Sequence, residues 1–183
     1  MADYTAELVN DHLVVWDPAE GEKLYRLGFF GKPLGVAKPR LGDFSRPLLL
    51  DLIEGLYLFD KGVIRVCDAR GRPMRRSRLL ARGREVYERF NEEFLVYKDL
   101  RDLGKVVLPG IKFGCEFAVY ERGPGIDHAP YLVSVRRAGD LVSSADLVRA
   151  GRLATTVRKR FVVAVPDVKA SLVRYLMFDW FKA

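Results

Sequence analysis

The sequence of 183 residues contains no glutamine, and Asn10 and Asn91 are its only asparagines. Thermolabile amides are therefore nearly absent. With 30% of residues charged, the balance resembles that of heat-adapted proteins. Histidine is almost as scarce, and two residues, His12 and His128, exclude a histidine-rich metal site. Cys67 and Cys115 form no CxxC motif and lie in apolar, strand-like runs. They read as buried free thiols rather than a disulfide or metal ligands. No apolar run is long enough to span a bilayer. The N-terminal stretch MADYTAELVNDH is acidic and lacks a signal-peptide pattern, so a cytoplasmic protein without a membrane partner is expected.

What the chain has in excess is positive charge. Lysine and arginine number 31 against 24 aspartates and glutamates, a formal charge of +7. Such a surplus favours a polyanionic partner, nucleic acid before a membrane surface. Length and apolar content suit one mid-sized domain or two small ones.

Short alternating runs in residues 4–30, LVNDHLVVW and KLYRLGFFG, read as strands of a small sheet. Residues 31–46 carry glycine, proline and basic side chains without periodicity and read as a long loop with Lys32, Lys38 and Arg40 at its tips. Gly28, Gly31 and Lys32 lack the spacing of a phosphate-binding loop. Ser45 is placed to cap a helix starting near Pro47, and VIRVCD follows as a strand. The basic run 72–84 reads as a short helix with a solvated face. From Arg84 the spacing of Val86, Phe90, Phe94, Tyr97 and Leu100 predicts one helix ending at Gly104. A strand, KVVLPG, is followed by a hairpin over Lys112–Arg136. A capping pattern at Ser143–Asp146 opens a helix with Leu147, Val148, Gly151, Ala154 and Val157 on one face, and RFVVAVPD and SLVRYLMFDWF close the chain as strands. The fold expected is α/β. A small N-terminal α/β domain (1–84, with the basic loop 31–46) precedes a C-terminal mixed-sheet, nuclease-like domain (85–183) flanked by helices.

The hairpin carries the most chemistry. Tyr120 ends its first strand and His128 opens the second, and an antiparallel pair sets such positions at the same end of the ladder. Phenol and imidazole together suit proton transfer on an anionic substrate. If that substrate is RNA, the ribose 2′-hydroxyl is an internal nucleophile, and cleavage needs a base, an acid and a cation but no metal. Tyrosine is an unusual base because its ordinary pKa is about 10. A nearby lysine or arginine would lower it, and Lys159, at the end of the basic helix, is the expected source of that field. A competing pattern is Asp167-Val168-Lys169, which matches the (D/E)xK end of metal-dependent nucleases but lacks a convincing upstream carboxylate.

Three stretches in order, VYKDLRDLGKVVLPGIKFGCEFAVYERG, HAPYLVSV and SADLVRAGRLATTVRKRFVVAV, resemble the archaeal tRNA-intron endonuclease family across nearly all of residues 85–166. The first eighty residues fit its N-terminal domain more loosely. The resemblance implies a catalytic triad of Tyr120 (general base), His128 (general acid) and Lys159 (transition-state stabiliser), working without metal or cofactor. It implies a precursor tRNA folded as a bulge-helix-bulge, and products with a 2′,3′-cyclic phosphate and a 5′-hydroxyl. Two arginines of the family stack on a flipped bulge base; Arg152 matches the first by motif, and Arg174 stands at a suitable place for the second. Lys32, Lys38 and Arg40 fall in a loop like the extra loop of crenarchaeal members and are candidate RNA contacts. One departure stands out. Self-assembling members carry an acidic loop between the last two strands, and here that loop is PDVKAS, with Asp167 opposed by Lys169. The expectation is a heterotetramer in which a paralogous subunit supplies the acidic loop. A non-catalytic RNA-binding or architectural subunit of the same enzyme is the alternative, and a metal-dependent nuclease the other.

Overall fold

The structure, a computed structural model, describes residues 2–36, 39, 44–156 and 159–178, with only the backbone for 149–150 and 153–156. Lys38, Arg40 and Val157 lie outside the described residues. The chain divides into two compact units, Met1–Phe90 and Asn91–Ala183.

The first unit is a five-stranded sheet in the order β3-β4-β2-β1-β5. Its strands are β1 (Tyr4–Val9), β2 (His12–Val15), β3 (Lys32–Pro33), β4 (Leu48–Leu50) and β5 (Ile64–Cys67). β1 and β5 run parallel and the other pairs antiparallel. The segment KLYRLGFF is not a strand: α1 runs from Pro18 to Arg26. The Asp17 carboxylate accepts the Ala19 N–H at 2.7 Å, and Pro18 occupies the first turn, so a helix start overrides the local alternation. Nor does Ser45 cap the next helix. Leu48–Leu50 pair as β4, and α2 (Leu52–Asp60) is opened by Asp51 in a capping box with Glu54. Gly55 lets α2 press onto β2, because a Cβ there would come within 2.1 Å of Leu13. The buried Glu54 carboxylate also accepts the Gly31 N–H at 3.1 Å and so anchors the start of the basic loop. The basic run forms α3 (Arg76–Val86), partly tied down by Arg76–Asp60 and Arg82–Asp11 ion pairs. The single helix expected from Arg84 is broken: Tyr87 is extended, and Phe90 folds back onto Gly83.

In the second unit, α4 (Phe90–Asp102) leads to β6 (Val106–Pro109), a 3-10 turn at Ile111–Phe113 and β7 (Phe117–Tyr120). β8 (Tyr131–Val135), α5 (Ser144–Thr156), β9 (Arg160–Asp167) and β10 (Leu172–Phe178) follow. The sheet order is β10-β9-β8-β7-β6. Only β8 and β9 are parallel, with α5 as their crossover, so the mixed α/β sheet expected from the element order is what forms. Leu132, Val133, Val135 and Ala164 are at most 1% exposed and mark the core. Cys115 is buried, with its thiol within hydrogen-bond distance of the Gly110 and Phe117 carbonyls; both cysteines are free thiols as expected, but Cys67 is only partly buried. Ser143 and Asp146 exchange hydrogen bonds at the start of α5, as their spacing predicts. Leu147 and Val148, expected on an apolar face, are instead exposed. None of the described helices is long and apolar enough to cross a membrane.

Candidate active site

The register of the second sheet brings three chain segments to one edge. Val119 of β7 lies opposite Tyr131 of β8, so Tyr120 leaves the sheet beside Pro130. Tyr131 is also paired with Arg160 of β9, and the Arg160 N–H donates to the Pro130 carbonyl at 2.8 Å. The end of β7 and the beginnings of β8 and β9 therefore meet. Tyr120, His128 and Lys159 flank that meeting point, each just outside or at the end of its strand.

Two placements differ from expectation. His128 does not open β8; it is exposed on the connecting loop, held out from the sheet by the buried Ala129 and by Pro130. Lys159 is not the end of the helix, because α5 stops at Thr156 and Lys159 sits directly before β9. Its ammonium donates to the Ala129 carbonyl, next to His128, and lies 5.3 Å from the centre of the Phe113 ring. Phe113 and Tyr120 pack on the same cluster, which includes Cys115, Ala118, Ala129 and Leu132. Tyr120 is half-buried there. Neither its hydroxyl nor the His128 imidazole has a hydrogen-bond partner among the described residues.

The electrostatics also differ from expectation. Burial pushes the Tyr120 phenol above its ordinary value, and the negative Asp127 pushes it further. Among the described residues no basic group lowers it, and the Lys159 ammonium is turned onto a carbonyl. Burial lowers the Lys159 ammonium from its ordinary 10.5.

Asp127 is the residue that sequence reasoning missed. Its carboxylate accepts the N–H groups of Glu121 and Arg122 at 3.1 Å each and of Gly123 at 2.8 Å. Desolvation alone would raise its pKa, but those three donors, with the charge of Arg122, hold it below the usual carboxylate range. The signal available was an aspartate closing a glycine-rich turn, where Asx side chains often bond local backbone. Phe113, on an isolated 3-10 turn, left no such signal.

The proposed base-stacking arginines do not join this edge as a pair. Arg152 is exposed on α5. Arg174 lies on β10 opposite Val165, which is five residues along β9 from Arg160. At about 3.3 Å per residue, that separates Arg174 from the Lys159 end by roughly 17 Å. Arg174 lines a cavity of about 340 Å³ with Arg137, Lys169, Asp167 and Leu172. Arg137 is paired with Glu92. Asp167, the acid of the (D/E)xK pattern, accepts the N–H groups of Lys169 and Ala170 at 3.0 Å each through Oδ1 and so closes its own turn. No cluster of three potential metal-ligating side chains occurs among the described residues. Lys32 is exposed on β3, in the other unit.

Comparison with known proteins gives the geometry its context. Residues 90–175 match the family profile of the tRNA intron endonuclease catalytic C-terminal domain, and residues 4–80 match that of the tRNA intron endonuclease N-terminal domain. A tRNA-splicing endonuclease of Hyperthermus butylicus is 42% identical over 97% of this chain and 98% of its own length. Proteins of the same name from Saccharolobus islandicus and Sulfurisphaera tokodaii are 39% and 37% identical, again over nearly the full length of both chains. With both of its units matched and its sheet edge assembled by the catalytic-domain segment, the chain belongs to the tRNA intron endonuclease family.

Proposed function

We propose that this chain is a catalytic subunit that excises introns from precursor tRNA, cutting at bulge-helix-bulge junctions without a metal ion. Tyr120 takes the proton of the ribose 2′-hydroxyl. The 2′ oxygen bonds to the adjacent phosphorus while the bond from phosphorus to the 5′ oxygen breaks. His128 gives its proton to that leaving oxygen, and Lys159 offsets the charge of the phosphorane. The ends are a 2′,3′-cyclic phosphate and a 5′-hydroxyl. The observation that carries this reading is the register: Tyr120 beside Pro130, and Arg160 bonded to Pro130, at one edge of the sheet. Lys159 needs only to leave the Ala129 carbonyl to meet a phosphate.

Arg152 and Arg174 hold a flipped bulge base between guanidinium planes, and Lys32, Lys38 and Arg40 contact RNA backbone. The distance between Arg174 and the Tyr120 edge favours an assembly in which a second chain completes the grip on one bulge. The partner is a paralogous subunit in a heterotetramer. Asp167 is the only acid of PDVKAS, and Lys169 opposes its charge, which leaves the loop no net negative charge to offer a neighbour.

The test mixes the purified chain, with and without the candidate partner, with a bulge-helix-bulge RNA in EDTA and identifies the new ends. Cyclic phosphate and 5′-hydroxyl ends formed by the mixture support the reading. Cleavage that requires a restored divalent cation, or an active tetramer of this chain alone, sinks the metal-free or the heterotetramer part respectively.

A further inference from the structure

Loop 121–127 separates the proposed base from the proposed acid, and two of its glycines adopt backbone angles that favour glycine, with φ of 134° at Gly123 and 85° at Gly125. Such a loop has many conformations to lose on ordering. One side chain restrains it. The Asp127 carboxylate receives the first three N–H groups after Tyr120, those of Glu121, Arg122 and Gly123. The Asp127 and Ile126 N–H groups in turn donate to the Gly123 carbonyl at 3.1 Å. His128 is the next residue in the chain. Five hydrogen bonds thus cinch the loop between the two groups, and three of them end on one carboxylate.

We propose that Asp127 is a positioning residue for strand cleavage: it ties the backbone leaving Tyr120 to the backbone entering His128, so that both groups meet the same phosphodiester. The inference rests on the cleavage reading above. Asp127 reaches the reaction through the loop and does not itself exchange a proton with RNA.

The charge and the position of Asp127 act in opposite directions, which makes the role measurable. Its negative charge works against the Tyr120 phenolate, after burial the second cause of the raised phenol. Removing the charge would on its own make the base easier to form and cleavage faster. Losing the loop would make cleavage slower. The other charged groups nearby among the described residues are Arg122, Glu121 in its ion pair with Lys105, and Lys159 on the Ala129 carbonyl. All of them remain in the variants used.

The experiment compares wild type, Asp127→Ala and Asp127→Asn, each with the partner subunit if cleavage needs one, under single turnover at saturating bulge-helix-bulge RNA. Misplacement of about 1 Å costs on the order of a hundredfold in rate. Asp127→Ala should therefore cleave about a hundredfold more slowly, with RNA affinity changed less than about threefold. Asp127→Asn keeps one acceptor for the Gly123 N–H and should fall between the two. Hydrogen exchange read without RNA should quicken at the Glu121–Gly123 amides in Asp127→Ala, while the amides of β8 and β9 stay protected. Variants that cleave as fast as wild type or faster, or amides 121–123 that exchange unchanged, overturn the role of Asp127. A wild-type protein that leaves the RNA intact overturns the cleavage reading instead, and the exchange result still decides whether Asp127 holds the loop.

Discussion

Strand β9 begins and ends in different chemistry. Where it begins, beside Pro130, the side chains proposed to react are restrained by main-chain hydrogen bonds: Lys159 on the Ala129 carbonyl, and the loop between Tyr120 and His128 on the Asp127 carboxylate. Where it ends, beside Arg174, cations stand on an edge strand and a turn around an open cavity. The first arrangement suits a reaction, in which small displacements are costly. The second suits gripping a polyanion, in which backbone contacts fix register and tolerate slack. The two ends should therefore separate in kinetics: substitutions at the beginning of β9 change the rate on bound RNA, and substitutions at its end change how tightly RNA is bound.

The largest effect expected is at the proposed acid and base. His128→Ala should slow cleavage of bound RNA by about a thousandfold, within the range of general acid-base catalysis, and leave the RNA dissociation constant nearly unchanged. Tyr120→Phe should do the same while keeping the ring that packs against the Phe113 cluster. Single-turnover cleavage and a binding titration measure the two quantities separately. Loss of affinity in place of rate would erase the contrast between the ends.

Lys159 comes next. Lys159→Ala removes the positive charge proposed to face the phosphorane and should cost about a hundredfold in the same rate. Burial lowers the pKa of this ammonium, so its charge is lost on the alkaline side before an ordinary lysine would lose its own. The rate should begin to fall there, below pH 10.5, and Lys159→Arg should move that fall to higher pH. An alkaline limb that does not respond to the arginine variant would take Lys159 out of the reaction.

At the other end of β9, Arg174→Ala should weaken RNA binding by about tenfold, the lower part of the range for a stacking contact, with the rate on bound RNA little changed. Arg174→Lys should not restore the affinity, because an ammonium cannot stack. A rate effect with intact binding would place Arg174 in the chemistry and break the division.

How much of this was legible depends on which interaction decided each element. RFVVAVPD reads as a buried strand and is β9, because a strand covered on both faces leaves a continuous apolar run. KLYRLGFF reads as a strand, but its first four residues are the end of α1, because two residues upstream of its pattern, Asp17 and Pro18, set the helix. Val86 and Phe90 share a helical spacing but sit on either side of a break, which the fit of Phe90 against Gly83 requires. At the site, residue types and motif spacing pick out Tyr120, His128 and Lys159. Their common edge depends on the parallel pairing of β8 with β9, which no local pattern encodes. The antiparallel pairing of β10 with β9 sets Arg174 toward the far end of β9. The upward shift of the Tyr120 phenol was hidden for a similar reason, since it follows from burial and from a turn aspartate.

The smallest effect tests whether the end of β9 can be loosened alone. The Tyr175 hydroxyl donates to the Asp99 carboxylate at 2.7 Å and fastens β10 to α4 next to Arg174. Tyr175→Phe removes that bond and should cost about 1 kcal/mol of stability at neutral pH. Burial first, and then the Asp99 hydrogen bond, push the Tyr175 phenol well above its ordinary 10.0. A folded-state pKa above the unfolded one means that the stabilisation is complete below about pH 10 and is lost as pH rises beyond it, when the unfolded phenol ionises and the folded one does not. The stability gap between wild type and Tyr175→Phe should therefore be constant from neutral pH to about 9 and close above about 10, in denaturant titrations run in parallel at each pH. Because the bond lies at the end of the sheet that carries Arg174, RNA affinity should drop slightly while cleavage of bound RNA keeps its rate. If the rate fell instead, motion at the end of β9 would be reaching its beginning, and the two ends would have to be treated as one mechanical unit.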